Sequence, residues 1–266
     1  MPNLDTVEDT LFVPMLGRLY ATQNFPHILN DQKALELKDK LPEKLAGSDT
    51  QTQYTLMASA VRSVNMDYYI KDFMERNPNG VIVNLGCGLE TTYYRNNNDI
   101  NDWYEVDLEN VIKYRKTLLN ESKNDKYIIA DAFSESWIKQ IRQEHPTNPI
   151  LLTASGLFYY FERDKVVSLL ENLKKFGSIE IIFDAVNMSG MKQMGHYMEQ
   201  VGHEDAKMFF YVDSGLALGE ETGTTLLSEE PYYAHNSKKG LKLITKITMK
   251  VSDMLNMVKM VHMKLN

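Results

Sequence analysis

Val81-Ile82-Val83-Asn84-Leu85 runs straight into Gly86-Cys87-Gly88-Leu89-Glu90-Thr91-Thr92, and Asp107 follows nineteen residues after Gly88, closing Trp103-Tyr104-Glu105-Val106-Asp107. A short β-branched run ending at paired glycines reads as a buried strand turning into a helix. Glycines there let the backbone approach a ligand without a Cβ in the way. Outward from this point the rhythm repeats. A helix carrying Val111, Tyr114 and Leu118 leads to the strand Tyr127–Ala130. A helix with Trp137, Ile138 and Ile141 leads to Ile150–Thr153, and one with Val166, Leu169, Leu170 and Leu173 leads to Ile179–Phe183. Strands alternating with helices of this length predict an α/β fold, a mainly parallel sheet wound on both faces.

Both flanks leave that rhythm. Residues 1–75 read as helical, with Tyr54, Met57, Val61, Val64 and Tyr68 on one face. Residues 76–186 form the ligand-binding core. Residues 187–235 hold no clear strand and read as a lid insertion, with Met188, Met191, Met194 and Met198 at helical spacing and Phe209-Phe210-Tyr211 beyond. Within 236–266, Leu241–Lys250 and Met257–Leu265 read as two strands paired antiparallel. No linker or repeat divides the chain, so a single domain over 1–266 is expected.

Composition narrows the partners. Of 266 residues 43% are hydrophobic, enough for one sizeable core. No apolar run reaches membrane-spanning length, and the acidic opening Met1-Pro2-Asn3-Leu4-Asp5 is unlike a secretion signal. A single cysteine, Cys87, precludes an internal disulfide and suits a reducing compartment, so a cytoplasmic location is expected. The net charge is −7 and the basic residues are scattered, which argues against nucleic acid and leaves a small molecule as partner. Lys238-Lys239 with Lys242 reads as a solvated turn. No metal site is expected, and the oligomeric state is not readable.

An acid at the end of the second strand suits a ribose, which NAD and S-adenosylmethionine both carry. A dinucleotide site normally has Gly or Ala at the sixth motif position, beneath the pyrophosphate. Here that position is Thr91, followed by Thr92-Tyr93-Tyr94. S-adenosylmethionine has no pyrophosphate and tolerates this crowding. A sheet turn with a coincidental acid is the bland alternative.

Asn84 through Arg95 and Trp103 through Leu108 together resemble the leucine carboxyl methyltransferase superfamily, nearest its bacterial polyketide O-methyltransferase branch. Further similarity lies in Asp9-Thr10-Leu11-Phe12-Val13-Pro14 with Arg18, Asn30–Ala34, Ser136-Trp137-Ile138, Gly156–Tyr160 and Phe183–Val186, so it spans about residues 5–186. The resemblance implies a class I, Rossmann-like sheet of about seven strands with an antiparallel C-terminal strand. It also implies S-adenosylmethionine as cofactor. Gly86 and Gly88 would pass beneath the cofactor, Asp107 would hold its ribose and Arg62 its methionine carboxylate, and Asp131 and Ala132 would lie beside the adenine. Arg62 also reads as a solvated helix charge, and Asp131 as a turn residue before a Ser134 cap. Where the family has Ala-Glu-Gly, this chain has Ala154-Ser155-Gly156. Ser155 therefore joins the cofactor candidates without the charge, and a non-catalytic cofactor-binding protein of the same fold is the alternative reading.

The implied function is O-methylation of a small carboxylate or phenol. Tyr160, Met194 and Phe209 are substrate-wall candidates, and His196 and His203 are candidate bases should the acceptor need deprotonation. No base motif stands out, which favours a carboxylate. Amine methylation of DNA is disfavoured, because Thr153-Ala154-Ser155-Gly156 lacks the Asn/Asp-Pro-Pro-aromatic signature.

Overall fold

The computed structural model describes residues 12–41, 51–193 and 207–266. Among them seven strands form one sheet in the order β3-β2-β1-β4-β5-β7-β6. They are β1 (Val81–Leu85), β2 (Trp103–Asp107), β3 (Asp125–Ile129), β4 (Ile150–Ala154), β5 (Ile179–Val186), β6 (Thr225–Pro231) and β7 (Val258–Lys264). β1 to β5 run parallel, and β7 lies antiparallel between β5 and β6. The order reverses beside β1, with β2 on one side and β4 on the other. That reversal opens a crevice at the carboxyl ends of the strands.

Among the described residues the main helices are α1 (Phe12–Asn24), α2 (Gln32–Leu37), α3 (Gln53–Arg76), α4 (Thr92–Asn96), α5 (Glu109–Leu118), α6 (Ser136–Glu144), α7 (Arg163–Leu173), α8 (Gly215–Thr222) and α9 (Leu243–Met254). The two-residue period of the strands sorts the core into two layers. Val81, Val83, Leu85, Ile150 and Leu152 face α6 and α7, meeting Trp137, Ile141, Val166 and Leu170. Ile82, Leu151 and Ile182 face the other way, onto Met57, Val61, Ile70 and Phe73 of α3. α3 is thus a full layer of the fold.

A buried ionic network fastens the N-terminal helices to the loop after β1. Glu90 accepts from Arg18 and Arg95, both at 2.9 Å, and from the Thr91 amide. Arg95 also grips Asp67 on α3 through two nitrogens and reaches Asp31 at 2.8 Å. Asp31 caps α2 by accepting from the Ala34 amide, and it receives the Thr91 hydroxyl as well. Thr91, at the crowded sixth motif position, is fully buried and places its hydroxyl on this acid.

Three expectations are corrected. Leu241–Lys250 is not a strand, because Leu243–Met254 is helical. The run is rich in β-branched residues (Ile244, Thr245, Ile247, Thr248, Val251), which favour strands only until tertiary packing decides. Here Thr245, Met249 and Ser252 pack inward while Leu243, Ile247 and Met254 point out. The antiparallel partners of β7 are instead β5 and β6. Second, the 187–235 segment contributes α8 and the edge strand β6 to the sheet, so the whole of it is not a lid. The polar pair Glu229-Glu230 hid β6, and Glu229 proves to neutralise buried Lys259 on β7 at 2.7 Å. Third, α6 starts at Ser136 with Glu135 preceding it, so Ser134 is not its cap. The α3 stripe holds for Met57 and Val61, but Tyr68 is half exposed and stacks on His235.

Burial opposes the charge of Glu90, but Arg18 and Arg95 outweigh it and hold its pKa at about 2, against an ordinary 4.5. A depressed folded-state pKa stabilises fully above the unfolded value and is lost as pH falls through the folded one. Glu90→Gln should therefore cost about 3 kcal/mol at neutral pH, where two buried arginines each lose one of their partners. Urea unfolding should show the gap to the unsubstituted chain closing as pH falls from about 4.5 towards 2. A gap that stays constant over that range would assign the acid sensitivity elsewhere.

Candidate active site

A cavity of about 430 Å³ opens at the sheet's reversal point. Its floor is Gly86, Cys87 and Gly88. Gly86 has φ +64°, a left-handed conformation that suits glycine, and a Cβ there would meet Leu157 at 2.7 Å. Burial holds the Cys87 thiol well above its ordinary pKa, so this wall stays neutral. Asn84 lies just before the turn, donating to Glu105 at 2.8 Å and accepting from the Thr153 hydroxyl. These bonds tie the ends of β1, β2 and β4 together.

Asp107 closes β2 at the cavity rim. Its Oδ2 accepts from the Gly88 amide and its Oδ1 from the Leu108 amide, both at 2.8 Å. The carboxylate is thereby oriented by the same loop that carries the glycines. Asp131 is exposed at the rim, and its Oδ1 accepts from the Phe133 amide at 2.9 Å. It is a turn residue and a cavity residue at once. Ala132 and Ser155 line the same space.

Arg62 comes from α3, on the opposite side, and is no solvated helix charge. Its Nε lies 2.7 Å from Asp184 Oδ2 in an ion pair, with 17% of the arginine side chain exposed and none of the aspartate. Burial works against the guanidinium charge, yet Asp184 and the surrounding tyrosines outweigh it and raise the pKa well above the ordinary arginine value. Gly156 (φ +68°) makes room: a Cβ there would sit 2.6 Å from Arg62 Nη1.

The structure therefore brings Arg62, Gly86, Gly88, Asp107, Asp131, Ala132, Ser155 and Tyr160 around one cavity. Phe209 is not among them. It is 40% exposed, and its neighbour Phe210 packs into the core against Phe158 and Phe183. Met194, Met198, His196 and His203 lie outside the described residues. Sequence reasoning missed the roles of Asp184, Tyr232 and Glu90. An acid inside the apolar run Ile181-Ile182-Phe183-Asp184-Ala185-Val186 was the readable signal for the first, since a charge is rarely buried without a partner. Nothing local marked Tyr232, which reaches the site from beyond β6 and donates to the Ala58 carbonyl at 2.9 Å.

The buried guanidinium, the glycine floor and the oriented carboxylate surround a space suited to a ligand carrying a ribose and an amino-acid carboxylate. Sheet order and site together define a class I S-adenosylmethionine-dependent methyltransferase fold. The chain belongs to the leucine carboxyl methyltransferase family, whose model matches residues 9–174. It is 27% identical over 186 residues to the S-adenosyl-L-methionine-dependent methyltransferase dpfgK of Gibberella zeae, covering 64% of this chain and 61% of that protein. It is 26% identical over 185 residues to the tetracenomycin polyketide synthesis O-methyltransferase TcmP of Streptomyces glaucescens, covering 69% and 67%. Among solved structures, a DUF574 family protein from Streptomyces avermitilis superposes with a TM-score of 0.59 at 11% identity, over 95% of this chain and 98% of its own.

Charge-assisted hydrogen bonds contribute about 1.5–3 kcal/mol each. Asp107→Ala or Arg62→Ala should accordingly weaken S-adenosylhomocysteine by roughly ten- to a hundredfold in calorimetry. Either substitution leaving the affinity unchanged would remove that residue from the site.

Proposed function

We propose that the chain is an S-adenosylmethionine-dependent O-methyltransferase acting on a small-molecule carboxylate or phenol. One observation carries the choice of acceptor: part of the cavity lining is neutral and largely aromatic. Tyr54, Tyr160, Tyr232 and Tyr233 form it with Ser59, Met66 and Met257. Among the cavity's described lining residues there is no histidine or lysine, and the two arginines, Arg18 and Arg62, already face Glu90 and Asp184.

Such a wall offers no strong base. It suits an oxygen that arrives already ionised. Burial raises the pKa of Tyr232, which stays neutral beside Arg62 at neutral pH with its hydroxyl proton committed to the Ala58 carbonyl. When bound, the cofactor supplies an electrophilic methyl group on sulfur. The residues contribute position: Asp107 and Arg62 would anchor the cofactor's two ends, and the tyrosines would exclude water around the acceptor. A relative named for tetracenomycin polyketide synthesis O-methylation supports an oxygen acceptor of the same general kind.

The reading is tested in two steps. Calorimetry should show that S-adenosylhomocysteine binds and that NAD does not. A mass-spectrometric screen of carboxylic acids and phenols with labelled cofactor should then yield a methyl ester or ether. With a carboxylate, of ordinary pKa about 4, turnover should stay flat from about pH 6 to 8. A steep rise near pH 6.5 that His196→Ala or His203→Ala abolishes would replace the carboxylate with a phenol or alcohol and name the base.

A further inference from the structure

Asp184 is fully buried on β5, yet two hydrogen-bond donors and one guanidinium converge on it. The Gly156 amide, just after β4, donates to Oδ1 at 2.7 Å, and the Tyr159 hydroxyl donates to Oδ2 at 2.7 Å. Arg62 of α3 presents Nε to the same Oδ2 at 2.7 Å. The carboxylate therefore holds the arginine by its inner nitrogen. What exposure remains belongs to the arginine, which lines the cavity, and not to the aspartate.

We infer that Asp184 is a positioning residue: it fixes the Arg62 guanidinium, across the glycine at 156, in the orientation that receives the carboxylate end of the cofactor. The inference rests on the methyltransferase reading above and deepens it. An arginine stem has three freely rotating carbons, and fixing such a side chain on binding is entropically costly. A buried acid on the rigid central sheet removes that freedom before the ligand arrives. The glycine contributes equally, because any side chain at 156 would occupy the space of Nη1. Tyr159 and the Gly156 amide each hold one carboxylate oxygen, which fixes Asp184 in this orientation.

The test separates positioning from simple stability by using two ligands. S-adenosylhomocysteine carries the amino-acid carboxylate, whereas 5′-methylthioadenosine keeps the adenosine and lacks that group. Asp184→Asn should weaken S-adenosylhomocysteine by about tenfold or more in calorimetry and leave methylthioadenosine within about twofold, the loss of one charge-assisted contact. Added to Arg62→Ala, it should cost little further affinity, because both changes remove the same interaction. Tyr159→Phe, which keeps the acid and the arginine, should have a smaller effect. Equal weakening of both ligands by Asp184→Asn would mean a structural role and overturn the proposal, as would full additivity with Arg62→Ala. Failure of the unsubstituted chain to bind either ligand would instead remove the methyltransferase reading itself.

Discussion

Glu90 is the point on which the architecture turns. It lies two residues beyond the glycine floor, and its carboxylate is shared by Arg18 from the N-terminal helices and Arg95 from α4. Desolvating two arginines and their acids is expensive, and the arrangement is tolerable only because each charge has several partners. Arg18 also donates to the Leu89 carbonyl at 2.7 Å, and Arg115 donates to the Glu90 carbonyl at the same distance. The glycine loop is therefore held from both sides. Its flexibility is confined to the backbone torsions that glycine permits, and Asp107 can be aimed by the Gly88 amide only because that amide is fixed.

The site is built on the same plan at its other end. Asp184 does for Arg62 what Glu90 does for Arg18 and Arg95, and both acids lie beneath a glycine turn at the carboxyl edge of the sheet. Charge is buried in compensated pairs, and the surface left to a ligand is the outward part of each arrangement. The aromatic part of the cavity contains no such pair among its described residues. It relies on tyrosine rings and hydroxyls, which combine apolar area with a polar tip.

What the sequence made legible was local. β1, its glycine turn and β2 lie within about thirty residues, and their period-2 patterns and turn chemistry declare themselves without tertiary knowledge. The helices bearing Trp137 and Leu170 were equally plain. α9 was misread because isoleucine, threonine and valine carry a strand preference that packing overrode, leaving apolar side chains outward. β6 was missed because an edge strand needs few apolar residues and its glutamates serve a lysine far along the chain. Asp184, Tyr232 and the Arg18–Glu90 pair escaped a functional reading for a related reason. Their meaning lies in partners between 72 and 174 residues away, or on another layer of the fold. Phe209 was overvalued because one aromatic cluster was treated as a unit, whereas its neighbour Phe210 took the core position.

The placement of β7 between β5 and β6 also sets an order of events in time. The parallel portion, β3-β2-β1-β4-β5, is complete in sequence by Val186, and its pairings can form as the chain is made. β6 is made earlier than β7 but, among the described strands, pairs only with β7. Residues 225–231 therefore wait, unpaired, until 258–264 insert beside β5. Closing that long loop comes before any of its strand pairing can reward it, which makes it a slow step. The cavity wall supplied by Tyr232, Tyr233 and Met257 belongs to this late portion. The glycine floor of the cavity is thus finished before its aromatic wall, so the cavity is completed in two stages during synthesis.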